Sequence, residues 1–153
     1  MPTVDYFLNI DGIPGESVDS KHPNEIVVQS WSFGESAAAP AGASGAAAGK
    51  VKFRDFRFTA VVSKASPKLM EACATGQHIK SAVLTCRKST GFQLEFLVLK
   101  FSDLVVAGCE TGATADSEMP PVDHVALAFA KVEIDYTGQR PDGTPEPPIQ
   151  VTI

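Results

Sequence analysis

The chain is poor in cysteine: Cys73, Cys86 and Cys109 are the only three in 153 residues, and none forms a Cys-x-x-Cys pair. An odd number at irregular spacing excludes a disulfide framework and gives no zinc signature, so synthesis in a reducing compartment is expected. Positive charge is also scarce. Thirteen Lys and Arg face eighteen Asp and Glu, for a formal net charge of −5. Proteins that coat nucleic acid draw most of their affinity from clustered cations, so no nucleic-acid partner is expected. Long hydrophobic runs are missing too. The longest uncharged stretch, Ser36 to Gly49, is fourteen residues of mostly Ala and Gly. A bilayer needs about 20 apolar residues, so no membrane insertion is expected. The N-terminal Met1 to Asp11 carries acids where an export signal carries cations, so no general secretory signal is read there.

What is present suits one ordinary globular domain over 1–153. The hydrophobic fraction is 44% and the charged fraction 20%, both near the norm for soluble proteins. A chain of this length buries roughly two-thirds of its unfolded surface, enough for a core without cross-links.

Most of it reads as strand. Val4–Ile10, Glu25–Phe33, Val51–Thr59, Ile79–Lys88, Phe92–Phe101, Leu104–Ala107 and Val125–Tyr136 are rich in Val, Ile, Leu, Phe and Tyr. Asp11-Gly12, Pro14-Gly15, Ser89-Thr90-Gly91 and Gly138 punctuate them. The Ser-Thr-Gly loop predicts a hairpin between the strands ending at Lys88 and starting at Phe92. Val125, Leu127 and Phe129 share one parity and Val132, Ile134 and Tyr136 the other, so the apolar face flips near Ala130-Lys131. A similar flip separates Ile26 and Val28 from Trp31 and Phe33. Curled sheets need such irregularities.

A single helix is expected over about 66–76. Ser66 is placed as its N-cap, Pro67 at its first position and Gly76 as a left-handed terminator. Residues 33–50 read as a flexible Ala/Gly loop, because small side chains offer little burial against an ordering cost of about 1–2 kcal/mol per residue. Residues 110–124 form another loop, and 138–153 form a Pro-rich tail that can hold a short terminal strand.

No catalytic, cofactor or metal site emerges. Gly45 to Lys50 superficially resembles a phosphate-binding loop, but Ser44 stands where Gly is needed and Val51 where Ser or Thr must hold magnesium. His22, His78 and His124 are far apart in sequence and read as surface or edge residues. Cys86 alternates within an apolar strand as a small core residue. Asp5, Asp11, Glu16 and Asp19 read as a solvated turn cluster, lacking calcium-loop spacing. No Gly-x-Ser-x-Gly elbow is present.

One set of motifs carries more. V-D-Y-F-L-N-I-D-G-I-P-G-E-S-V-D-S-K-H (4–22) is followed by E-I-V-V-Q-S-W-S-F-G (25–34) and G-K-V-K-F-R-D-F-R-F-T (49–59). Then come K-A-S-P-K-L-M-E-A-C-A-T-G-Q-H-I (64–79), A-V-L-T-C-R-K (82–88), L-E-F-L (94–97) and V-A-L-A-F-A-K-V-E-I-D-Y (125–136). In this order and spacing the chain resembles the haemolysin-coregulated protein family, Hcp, over about residues 4–137. The linker before Gly49, the Met119-Pro120-Pro121 loop and the P-I-Q-V-T-I ending depart from the family pattern.

The resemblance implies a mainly β fold: a compact barrel of two curled antiparallel sheets with one flanking helix, related to phage tail-tube proteins. It implies a non-enzymatic subunit of the type VI secretion tube. Homo-hexameric rings would stack into a hollow tube expelled by sheath contraction, with sheath and spike proteins as partners and small effectors in the lumen. The protein would reside in the bacterial cytoplasm before firing and leave through the machine without a signal peptide. Ser32 of the W-S-F motif matches the family position on the lumen wall. Ala37, Ala38, Ala39, Pro40, Gly42, Gly45 and Gly49 are the candidate ring-stacking loop, because an uncharged small-residue segment needs a partner surface. The alternative is a β-barrel binding module that does not polymerise, or a phage-like tail-tube protein.

Overall fold

A computed structural model describes residues 4–37, 51–89, 93–116 and 118–153. The chain runs β1 (Val4–Ile10), β2 (Ile26–Val27), β3 (Ser30–Ser32), β4 (Glu35–Ala37), β5 (Val51–Phe53) and β6 (Phe56–Val61). Helix α1 (Ala65–Thr75) follows, then β7 (Ile79–Lys88), β8 (Glu95–Gly112), β9 (Val122–Tyr136) and β10 (Ile149–Thr152).

All the main pairings are antiparallel, in the order β2-β1-β7-β8-β9-β6-β3, with β10 added along the second half of β9. The two ends of this order, β2 and β3, are neighbours in the chain. The Val28 amide donates to the Tyr6 carbonyl at 3.0 Å, on the β1 side, and the Gln29 amide to the Thr59 carbonyl at 2.8 Å, on the β6 side. One short segment therefore bridges both ends of the sheet and curls it into a barrel. This is why apolar parity flips between Ile26/Val28 and Trp31/Phe33: the segment changes partner strand at Gln29, and each half must still face the core.

The flip near Ala130 has a partner on β8. Phe101 pairs with Val132 and Leu104 with Phe129, so both strands change the parity of their apolar residues between those pairs. Asp103, between them, has φ 54°. A second irregularity follows at Val106/Gly108, where Ala107 is the extra residue. These two features let strands of 18 and 15 residues bend around the core instead of crossing it flat.

The core is aromatic at its centre. Phe101 is fully buried, with ring centroids 4.8 Å from both Phe56 and Phe129 and 5.9 Å from Phe33. Truncating such a side chain leaves a cavity costing about 3–5 kcal/mol. Leu8, Ile10, Leu84, Leu104 and Val132 complete this layer.

Helix α1 ends at Gly76, which sits at φ 66°, a left-handed conformation that only glycine adopts cheaply. The expected start differs. Lys64 is the N-cap residue, and the Ser66 hydroxyl instead accepts from the Ser63 amide at 3.0 Å and donates to the Asp123 carboxylate. Thr111 Oγ1 donates to the other Asp123 oxygen at 2.5 Å. Two hydroxyls thus hold a carboxylate that is 2% exposed, pinning the first helical turn to the β8–β9 hairpin. Leu69 and Ala72 bury the helix's inner face, while Met70 stays exposed.

The expected loops are shorter than read. β4 begins inside the 33–50 span and pairs with β5, Ala37 opposite Val51. β8 and β9 extend into the 110–124 span as far as Gly112 and Val122. The tail carries the terminal strand β10, with Val151 opposite Ile134. No helix among the described residues is long and apolar enough to cross a membrane.

Candidate functional site

Ser32 lies on β3, exposed, and faces away from the core that holds its neighbours Trp31 and Phe33. The register builds a two-row face around it. Cross-strand partners point the same way in an antiparallel sheet. One row is therefore Ser32, Arg57, Ala126 and Gly108, on β3, β6, β9 and β8 in turn. The other row is Ser30, Thr59, His124 and Glu110 on the same strands. With strands about 4.8 Å apart, the face is roughly 14 Å across. A concavity of about 490 Å³ lies over it.

Its chemistry is small and polar. Ser30 Oγ and Thr59 Oγ1 are hydrogen-bonded at 2.6 Å. Ala126 and Gly108 carry no side chain larger than a methyl, which hollows the middle of the face. Arg57, His124 and Glu110 are exposed. The arrangement offers hydroxyls and mixed charge for contact, without a nucleophile–base pair or a cluster of ligands. Among the described residues no group of three or more His, Cys, Asp or Glu converges on a metal position.

Of the other loop candidates, Ala37 ends β4. Ala38, Ala39, Pro40, Gly42, Gly45 and Gly49 lie outside the described residues, as does most of the phosphate-loop-like stretch. Cys86 is fully buried in β7, and burial pushes its thiol up to about 12, as suits a core residue rather than a nucleophile. Burial and the nearby Asp123 carboxylate also push the Cys109 thiol up.

Two readings need correction. The carboxylates at 5, 16 and 19 are not simply solvated. Arg87, 5% exposed, donates two bonds to Asp19 at 2.8 and 2.9 Å and one to Asp5 at 3.0 Å. Glu16 accepts from the Lys64 amide at 3.0 Å. The Arg87 hydrogen bonds hold the Asp19 carboxyl down at about 2, and those same carboxylates push Arg87 upward. His22, read as a surface or edge residue, is 7% exposed, stacked on Phe7, with ring nitrogens 2.9 Å from both Glu25 and Glu95. These contacts fasten the 14–25 loop to β1, β7 and β8. His78, in an exposed pair with Asp103, and His124, exposed on β9, lie at the surface as expected. The signal for Arg87 was an arginine closing an otherwise apolar strand, with unpaired acids upstream.

The class of fold is an antiparallel sheet curled into a barrel, with one helix packed against it and a polar outer face. The family described as Type VI secretion system effector, Hcp, matches residues 7–136. Protein hcp1 of Pseudomonas aeruginosa is 37% identical over 142 residues, spanning 92% of this chain and 87% of that one. Hcp1 from Salmonella typhimurium is 34% identical, with TM-score 0.80 over 99% of this chain and 94% of that one. A type VI secretion system effector from Yersinia pestis is 32% identical, with TM-score 0.78 over 97% and 98%. The chain belongs to the Hcp family of type VI secretion proteins.

Proposed function

We propose that this protein is a tube subunit of a type VI secretion system, a structural and secreted component rather than an enzyme. Six copies close into a ring, rings stack into a hollow tube, and the face carrying Ser32 lines the lumen and holds small effector proteins. The sheath drives the tube and its spike outward, so export needs no separate signal. Before firing the subunit resides in the bacterial cytoplasm. The segment between β4 and β5 bridges successive rings.

The observation that carries this reading is the two-row polar face. A barrel needs to bury only one side of each strand. Four adjacent strands whose outer side is Ser, Thr, Ala and Gly, with Arg57, His124 and Glu110 among them, make a polar wall without a large exposed apolar patch. Family membership supports the rest. The exposed apolar residues Ile149 and Val151 of β10 and Ile153 just after it also favour burial against another copy.

Electron microscopy of the purified protein tests this. Rings with a central hole, stacking into tubes on concentration, are expected. Isolated compact particles at every concentration would instead support a stand-alone binding module.

A further inference from the structure

We propose that the concavity over β3, β6, β9 and β8 is a carboxylate-binding subsite anchored by Arg57, taking acidic side chains of protein cargo. This rests on the lumen reading, and it adds the chemistry by which cargo is gripped.

Arg57 is the arginine of this face, and no neighbour among the described residues occupies its guanidinium. Arg87 is consumed by Asp5 and Asp19. Arg57 is exposed and makes no ion pair or side-chain hydrogen bond among the described residues. A guanidinium presents a planar fork that matches a carboxylate with two parallel N–H donors. Its surroundings leave that fork accessible. On one side its cross-strand partner is Ser32, whose hydroxyl can add a donor. On the other side are Ala126 and then Gly108, so nothing tall screens the approach.

The charges fix the polarity of the subsite. His124 is a diagonal neighbour of Arg57, within reach of the same ligand. The carboxylate of the two rows, Glu110, stands directly opposite His124 and two strands from Arg57, roughly 10 Å across the sheet, so Arg57 and not His124 anchors the acid. An acid is therefore attracted at the Ser32–Arg57 end and repelled at the Glu110 end. The whole chain carries −5, so bulk attraction does not recruit acids. Whatever binds does so through these local contacts.

The experiment is fluorescence anisotropy with a tetramethylrhodamine-labelled tetraglutamate peptide, alongside labelled tetraglutamine and tetralysine. Light scattering is run on the same samples. Wild type should bind tetraglutamate in preference to both other peptides. Arg57→Gln should weaken it about tenfold, the usual worth of a charge-assisted contact. Arg57→Lys should recover part of the loss, and Glu110→Gln should tighten binding a few-fold. Opposite signs for two exposed substitutions cannot arise from general destabilisation. Equal binding of all three peptides, unchanged binding by Arg57→Gln, or weakening by Glu110→Gln would each overturn the subsite. A monomer that binds through Arg57 would retain the subsite and reject the lumen. Rings indifferent to Arg57 would do the reverse.

Discussion

Arg87 is the residue on which the N-terminal third of the barrel hangs. It ties Asp5 of β1 and Asp19 of the following loop to the end of β7, and it lies 4.9 Å from the Phe7 ring centroid. Arg87→Met should cost about 3 kcal/mol near neutral pH, because Asp5 and Asp19 lose their cation while still held in place. The pH dependence has a definite sign. The Asp19 carboxyl is lowered from 3.8 to about 2 by the Arg87 hydrogen bonds. Its contribution is therefore complete above about pH 4 and is lost as the pH falls toward 2. Urea unfolding across that range should show wild type losing stability faster than Arg87→Met. Parallel curves would mean the pair does not contribute. Ser32 belongs to this scale as well. It is exposed on β3, so Ser32→Glu should unfold at the same urea concentration within error. In the ring it should lose effector retention in a co-purification assay. Retention equal to wild type would remove Ser32 from the lumen wall.

At the scale of elements, the seam between α1 and the β8–β9 hairpin depends on Asp123. Asp123→Ala strands the Ser66 and Thr111 hydroxyls and should cost about 2–3 kcal/mol. Hydrogen exchange should accelerate across Ala65–Thr75 well before it does in β7. Uniform acceleration would show that the helix is not a separate unit. This seam also marks where sequence reasoning reached and where it stopped. Val4–Ile10 and Ile79–Lys88 were legible to the residue, because short runs rich in Val, Ile and Leu end at clear turn signals, Asp11-Gly12 and Ser89-Thr90-Gly91. Gly76 was legible because only glycine ends a helix that way cheaply. Ser66 was misread as a cap because the pattern Ser-Pro at a helix start is local, whereas its partner Asp123 is 57 residues away. Leu104 was separated from Phe101 because Ser102-Asp103 looks like a turn. The structure instead passes through Asp103 at φ 54° and keeps one strand. The polar face was legible only at Ser32. Its other members, Ser30, Arg57, Thr59, Gly108, Glu110, His124 and Ala126, are assembled by strand register between β3, β6, β9 and β8, which no local pattern specifies. The segment between β4 and β5 offers a further test at this scale. Ala37 pairs with Val51, so a two- to four-residue Gly-Ser turn can replace residues 38–50 without opening the ribbon. Rings should persist and tubes should vanish in electron micrographs. Normal tubes, or loss of rings, would give the segment another role.

The whole molecule is an antiparallel sheet curled into a barrel with one flanking helix. Its core is closed by one segment that pairs at both ends of the sheet, and one outer face is kept smooth and polar. Each subunit carries a formal charge of −5, so in the proposed assembly six together would repel the next ring, and stacking should strengthen as salt screens that repulsion. The functional unit we propose is the closed ring of six. Size-exclusion chromatography coupled to light scattering measures it most directly. A single species with the mass of six protomers is expected at micromolar concentration. A species with the mass of one protomer, persisting to tens of micromolar at physiological salt, would contradict it.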